Sequence, residues 1–214
     1  MNFLRKALAL ESEDISGKAS MEIEKVFYGK LLDHAELLKA SSKEHQEQWM
    51  LRISMTNMNA GSGSIRVRKT IANLSDTNTA SYVLTTKLKT GTTGEQIETS
   101  VASSEDQFKA FKVLADEGMI KDRFNFPVEG SSLVWEIDVF YAQGAEVGSG
   151  NYHEYVKIDI ELPTMDTPVP PFPVRLTDLI LSQTGARSEE AEKIVRSLYD
   201  NEFITKNTLV HGSK

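Results

Sequence analysis

Five strand-like runs of this chain carry the same three-residue pattern, in which two residues of like charge flank an apolar one: Glu22-Ile23-Glu24, Arg66-Val67-Arg68, Lys87-Leu88-Lys89, Glu136-Ile137-Asp138 and Asp159-Ile160-Glu161. Lys121-Asp122-Arg123 is a looser relative. Side chains two apart on a strand share a face, so each triplet projects two like charges from one side. Three strands present acids and three present bases. In the simplest one-sided antiparallel sheet the charged face looks at water and the apolar face makes the core. Solubility alone does not require the sign to be sorted strand by strand. Sorting has a purpose if the sheet closes with its charged faces inward, because acids and bases then converge from different walls. Isolated buried charges are costly, so such a lumen must be hydrated, internally paired, or filled by a ligand of matching charge. A triphosphate with a metal ion is such a ligand.

The rest of the pattern fits a sheet closed in this way. Alternation and β-branched or aromatic content predict strands over Met21 to Tyr28, Trp49 to Met55, Ser64 to Thr70, Ser81 to Lys89, Gln96 to Val101, Ile120 to Phe126, Leu133 to Tyr141 and Tyr155 to Leu162. The clusters Asn59-Ala60-Gly61-Ser62-Gly63, Gly91-Thr92-Thr93-Gly94 and Gly148-Ser149-Gly150-Asn151 read as hairpin turns, which make the strands antiparallel neighbours. Ser104 and Gln107 form a capping box ahead of Phe108, Phe111 and Leu114, with Gly118 as a stop. Leu31 to Lys39 is a weaker helical pattern, and Ser188 opens a terminal one through Ile194, Val195 and Leu198. Pro168-Val169-Pro170-Pro171-Phe172-Pro173 reads as an extended connector between the last strand and the terminal helices. The expected fold is α+β, mainly β: an eight-stranded closed antiparallel β-barrel with covering helices. Residues 1–20 form an N-terminal extension to a single domain over 21–214.

Composition removes several alternatives. The chain has 214 residues and no cysteine, which excludes disulfides and Cys-ligated metal and fits a reducing, cytoplasmic setting. A net charge of -7 argues against wholesale wrapping of nucleic acid. The start, Met1 to Leu10, is too short in apolar residues for a signal peptide, and no apolar run approaches a membrane span. A soluble protein is expected, with no membrane partner and with a homodimer compatible with everything above.

The charged pairs divide by chemistry. Mg²⁺ and Mn²⁺ prefer oxygen ligands, and Glu22, Glu24, Asp159 and Glu161 are the candidate metal ligands. Arg66 and Arg68 suit phosphate oxygens, with Lys87, Lys89, Lys121 and Arg123 adding positive charge. Glu98, Glu136 and Asp138 are placed to orient these bases or a second metal.

At these residues the chain resembles the CYTH family, the triphosphate tunnel metalloenzymes. The family opens on a strand reading Glu-x-Glu-x-Lys, and Met21-Glu22-Ile23-Glu24-Lys25-Val26-Phe27 is similar to it. Similar motifs follow in order: Ile65-Arg66-Val67-Arg68-Lys69, Tyr82-Val83-Leu84-Thr85-Thr86-Lys87, Lys121-Asp122-Arg123-Phe124, Trp135-Glu136-Ile137-Asp138-Val139-Phe140 and Asp159-Ile160-Glu161-Leu162. The resemblance covers roughly residues 20–165. It implies an eight-stranded tunnel and hydrolysis of inorganic, thiamine, nucleoside or RNA 5′-end triphosphates, with one branch that cyclises ATP. Glu24, Asp159, Glu161 and Arg68 are then the catalytic residues of a metal-dependent hydrolase. The rival readings are an adenylate cyclase and a non-catalytic module for a nucleotide, a polyphosphate or an RNA 5′ end. Two departures stand out. Val26 occupies the place of the motif lysine, and Lys25, one residue early, faces the other way unless a bulge restores it. Gln96 and Ser100 flank Glu98 where the family shows a further acid.

Weaker signals are expected to be structural. His34, His45, His153 and His211 read as surface residues, His153 being near the last strand, where a tunnel mouth would lie. Trp49 and Trp135 read as core under the helices.

Overall fold

The computed structural model of the protein describes residues 20–55, 61–72, 79–89, 95–115, 117–142 and 145–182, together with Glu189 and Lys193. The described residues form nine strands: β1 (Ser20–Leu31), β2 (Ser42–Met55), β3 (Gly61–Ile71), β4 (Ser81–Lys89), β5 (Glu95–Ala102), β6 (Glu117–Pro127), β7 (Val134–Tyr141), β8 (Tyr152–Leu162) and β9 (Leu176–Ser182). They form one sheet in the order β5-β4-β3-β2-β6-β7-β8-β1-β9, and every registered pair is antiparallel. The protein is therefore α+β and mainly β, as its alternation predicts.

The eight-stranded closed barrel is corrected in two respects. β9, which lacks any charged triplet, was not expected; it lies beside β1 over Val26–Leu31. Among the described residues the seam between β5 and β1 is bridged by the four pairs from Ser20↔Glu98 to Ile23↔Glu95. The sheet curves far enough for the ends of β5 and β1 to meet there, but it is not closed into a barrel.

Period two decides which face is which. Trp135, Ile137, Val139, Val156, Ile158 and Ile160 all lie on the outer face and are almost fully buried. A 3-10 helix (His34–Lys39) covers them through Leu37, and the proline-rich segment does so through Phe172 and Val174. Phe172 packs on Trp135 and Phe27 with ring centroids 4.9 and 5.1 Å apart, and the Trp135 indole donates to Pro171 O at 3.1 Å. This run is thus a strap over the core that leads into β9, where the sequence reading has a connector to terminal helices. Of those helices only Glu189 and Lys193 fall among the described residues.

A second apolar patch joins Trp49, Val67, Phe108 and Ala115 beneath α1 (Glu105–Leu114). The expected capping box is present: Gln107 N donates to Ser104 Oγ and Ser104 N to Gln107 Oε1. The helix stops at Ala115, and Gly118 is not its stop but part of β6, where a Cβ would lie 2.5 Å from the Trp49 ring. Gly61 to Gly63 belong to β3 rather than to a turn, and β2 begins at Ser42, well before its expected start at Trp49. Gly148 and Gly150 do adopt the left-handed conformations of a turn, with φ of 81° and 74°. The Gly91–Gly94 turn, the 1–19 extension and His211 lie outside the described residues. No described helix is long and apolar enough to cross a membrane.

Candidate functional site

The alternation that buries Ile137 and Ile158 outward turns the neighbouring charges inward. Arg123 on β6, Glu136 and Asp138 on β7, and Lys157, Asp159 and Glu161 on β8 share that inner face by register, as do Glu24 on β1 and Arg66 and Arg68 on β3. Lys87 and Glu98 continue it on β4 and β5.

The described inner charges are buried or half-buried, apart from the exposed Glu161, and are largely paired with one another. Asp138 is fully buried and accepts from Arg123 Nε at 2.7 Å and Nη2 at 2.9 Å, as well as from Lys121. Burial alone would raise its carboxyl; the Arg123 and Lys121 charges outweigh that and hold it well below the usual range. Arg123 also pairs with Glu136 and reaches past β7 to Asp159 at 3.9 Å. Lys87 pairs with Glu98, and Arg66 reaches Glu98 across β4 at 3.7 Å. Burial opposes the charge on Glu24, yet Lys157, Lys87, Arg123 and Arg66 together keep its carboxyl below the usual range. Those four bases come from β8, β4, β6 and β3. The sorted charges therefore meet across a curved inner face instead of facing bulk water.

Arg66, Arg68, Lys87, Lys121, Arg123, Glu24, Glu98, Glu136, Asp138 and Asp159 are brought together as above. Glu161 stands opposite Glu24 in the β1–β8 register. Glu22 and Lys89 both stand opposite Gln96, and their side chains lie outside the described residues. At one end a cavity of about 440 Å³ is walled by Ile23, Leu133, Val134 and Leu162, with Glu136, Asp159 and Glu161 at its polar side.

Arg68 differs from its neighbours. No carboxylate lies within ion-pair distance of it among the described residues, and its buried Nε has no hydrogen-bond partner. Burial, reinforced by the like charges of Arg66 and Arg123, pushes its guanidinium down to about 10. The adjacent Arg66 Nε is also unpartnered.

The sequence reading missed three inward residues. Lys157 is ion-paired with Asp159 and lies 3.9 Å from Glu24 Oε1. Its signal was visible: Lys157, Asp159 and Glu161 continue one alternation. Gln46 and Gln48 of β2 also face inward, opposite Thr70 and Arg68, each with a buried, unpartnered Oε1. Amides carry no charge and so leave no triplet to notice.

The departure at Val26 is real. The β1–β8 register runs unbroken from Ile23 to Lys30, so no bulge returns Lys25 to the inner face, and Val26 stands opposite Asp159. Ser100 donates to Glu98 at 3.2 Å, an inner-face contact where the resemblance would place an acid.

Asp122 points the other way from its flanking bases. It is fully buried on the outer face, where His45 Nδ1 (3.0 Å) and Tyr141 Oη (2.8 Å) meet Oδ1, and Tyr152 Oη (2.6 Å) and Lys43 Nζ (2.8 Å) meet Oδ2. His45 is thus a buried partner of a carboxylate, not a surface residue. Trp49 and Trp135 are core, as expected.

Mg²⁺ or Mn²⁺ is usually held by one or two carboxylates, with water and phosphate oxygens completing the octahedron. Among the described residues no three His, Asp or Glu side chains are arranged to hold an ion. Glu24 and Asp159 already share the Lys157 ammonium, which takes up the space between them and would repel a second cation there. The described side chains do not fit the ion as they stand.

Fold and site together define a mainly β protein whose curved sheet carries a largely buried set of acids and bases, paired with one another except at Arg68. No family model and no curated protein matches the chain. Among solved structures it is similar to a proposed adenylate cyclase from Bacillus halodurans, with 12% identity, a TM-score of 0.41, and coverage of 89% of this chain and 96% of that one. At that identity and score nothing about activity passes to this chain.

Proposed function

We propose that the protein binds a polyphosphate anion of the triphosphate class on its inner face, at Arg68 with Arg66 and Arg123 beside it. The observation that carries this reading is Arg68. A buried guanidinium without a carboxylate partner, flanked by two more guanidinium groups, is costly when empty and is matched by several anionic oxygens at once. Triphosphate supplies them in a row, and the planar forks of Arg66 and Arg68 can each take two. Lys87 lies one strand away and extends the positive surface. The unpartnered amide oxygens of Gln46 and Gln48 accept the hydroxyl protons of a protonated phosphate or of a sugar.

Isothermal titration with tripolyphosphate, ATP and triphosphate-ended RNA tests this. Binding of tripolyphosphate that falls at least about tenfold in Arg68→Gln, the loss of one to two charge-assisted hydrogen bonds, supports the reading. No binding of any of the three overturns it.

A catalytic reading is favoured by the cavity that Glu136, Asp159 and Glu161 help to line. Product analysis with Mg²⁺ or Mn²⁺ decides it: phosphate release marks a triphosphatase, and pyrophosphate release from ATP marks a cyclase.

A further inference from the structure

Lys157 stands on β8 two residues before Asp159, on the same inner face, and its ammonium lies between the Asp159 and Glu24 carboxylates. The ion pair is well shielded: the side chains of Lys157 and Asp159 are 23% and 3% exposed. The facing strand leaves space for it. Val26, short and apolar, stands opposite Asp159, so no cation from β1 competes for the two carboxylates. Lys25, the nearest base on β1, stands opposite Ile160 on the outer face.

This arrangement contradicts the divalent ion that the sequence resemblance implies. An ion bridging Glu24 and Asp159 would lie within a few ångströms of the Lys157 ammonium in a site with little water to screen the repulsion. The chain supplies compensating charge of its own to these two carboxylates, Lys157 from the same strand as Asp159 and Arg123 at 3.9 Å from Asp159. We infer that Lys157 is a built-in counter-cation standing where a divalent metal would bridge Glu24 and Asp159, so that the inner face takes its polyphosphate anion without metal. The second half of this statement rests on the anion-binding reading above; the first half does not.

Two measurements separate them. Mn²⁺ binding, followed by electron paramagnetic resonance of the free ion, is compared between the unaltered protein and Lys157→Met without any phosphate present. A gain of at least about tenfold in Mn²⁺ affinity in folded Lys157→Met, abolished in Lys157→Met/Asp159→Asn, supports the inference. Equal Mn²⁺ affinity in the two proteins overturns it. If Lys157→Met fails to fold, Lys157→Gln, which keeps a hydrogen-bond donor for the carboxylates, is compared in its place. Tripolyphosphate titration of the unaltered protein, which depends on no variant, is run in EDTA and in excess Mg²⁺. Equal affinity, within about threefold, supports metal-independent binding, and a requirement for Mg²⁺ overturns it. If tripolyphosphate does not bind under either condition, the anion-binding reading and the metal-free clause fall together, and the Mn²⁺ comparison alone judges Lys157 as counter-cation.

Discussion

Replacing Arg68 by methionine should make the empty protein more stable and leave it unable to hold its ligand. In the fold the Arg68 guanidinium drops from its ordinary value to about 10, because burial and the charges of Arg66 and Arg123 all disfavour its charged form. At about 1.4 kcal/mol per unit, that displacement is a penalty of about 3 kcal/mol on the folded state at neutral pH. Methionine keeps an unbranched apolar stem of similar reach and removes the charge and the unpartnered Nε. Some of the penalty returns as imperfect packing, so the expected net gain is about 2 kcal/mol, or roughly 4–8 °C in Tm for a chain of this size. The sign follows from linkage: the penalty is full below about pH 10 and fades above it, as the folded protein gives up a proton that the unfolded chain still holds. The advantage of Arg68→Met should therefore be constant between pH 6 and about 9. Thermal melts followed by circular dichroism, with and without tripolyphosphate, provide the assay. Tripolyphosphate should raise the Tm of the unaltered protein and leave that of Arg68→Met nearly unmoved. A folded variant of equal or lower stability, or one that still responds fully to tripolyphosphate, would refute the reasoning.

Two further outcomes concern the scaffold. Asp122→Asn keeps one acceptor oxygen for four converging donors, so two of them lose their partner or face an amide N–H; a loss of about 3 kcal/mol in urea unfolding is expected. Burial works against the Asp122 charge, but its hydrogen bonds from His45, Lys43, Tyr152 and Tyr141 lower it from 3.8 to about 2. The unaltered protein should accordingly keep this contribution above pH 4 and shed it as pH falls toward 2, by on the order of 1–2 kcal/mol after screening at the half-exposed Lys43; Asp122→Asn should lack that acid slope. Gly118→Ala forces a methyl against the buried Trp49 ring and should cost about 1–3 kcal/mol, with faster hydrogen exchange in α1, which packs on the same ring; a neutral effect would show that Trp49 can move aside.

Most of the inner face was legible because strand side chains repeat every two residues, a rule that needs only local sequence. Arg66 with Arg68, Glu136 with Asp138, and Asp159 with Glu161 share a face for that reason, and Ile137 and Ile160 between them are buried for the same reason. The α1 cap was legible too, since Ser104 and Gln107 satisfy each other within one turn. Asp122 illustrates the limit. It sits between two inward bases and must face outward, but that it meets His45, Tyr141 and Tyr152 depends on β2, β7 and β8 arriving beside it.

By itself, then, the sequence determined the local geometry: which residues extend, which side of each strand is charged, and where the first long helix begins. Tertiary structure alone decided three things, all involving groups far apart in the chain. The direction of curvature set whether the charged side is enclosed, the return of residues 168–182 added a strap and a ninth strand, and the pairing of β8 with β1 put the Lys157 ammonium between Glu24 and Asp159. Contacts of that kind are settled by the packing of whole strands and by long-range electrostatics, which no window of neighbouring residues contains.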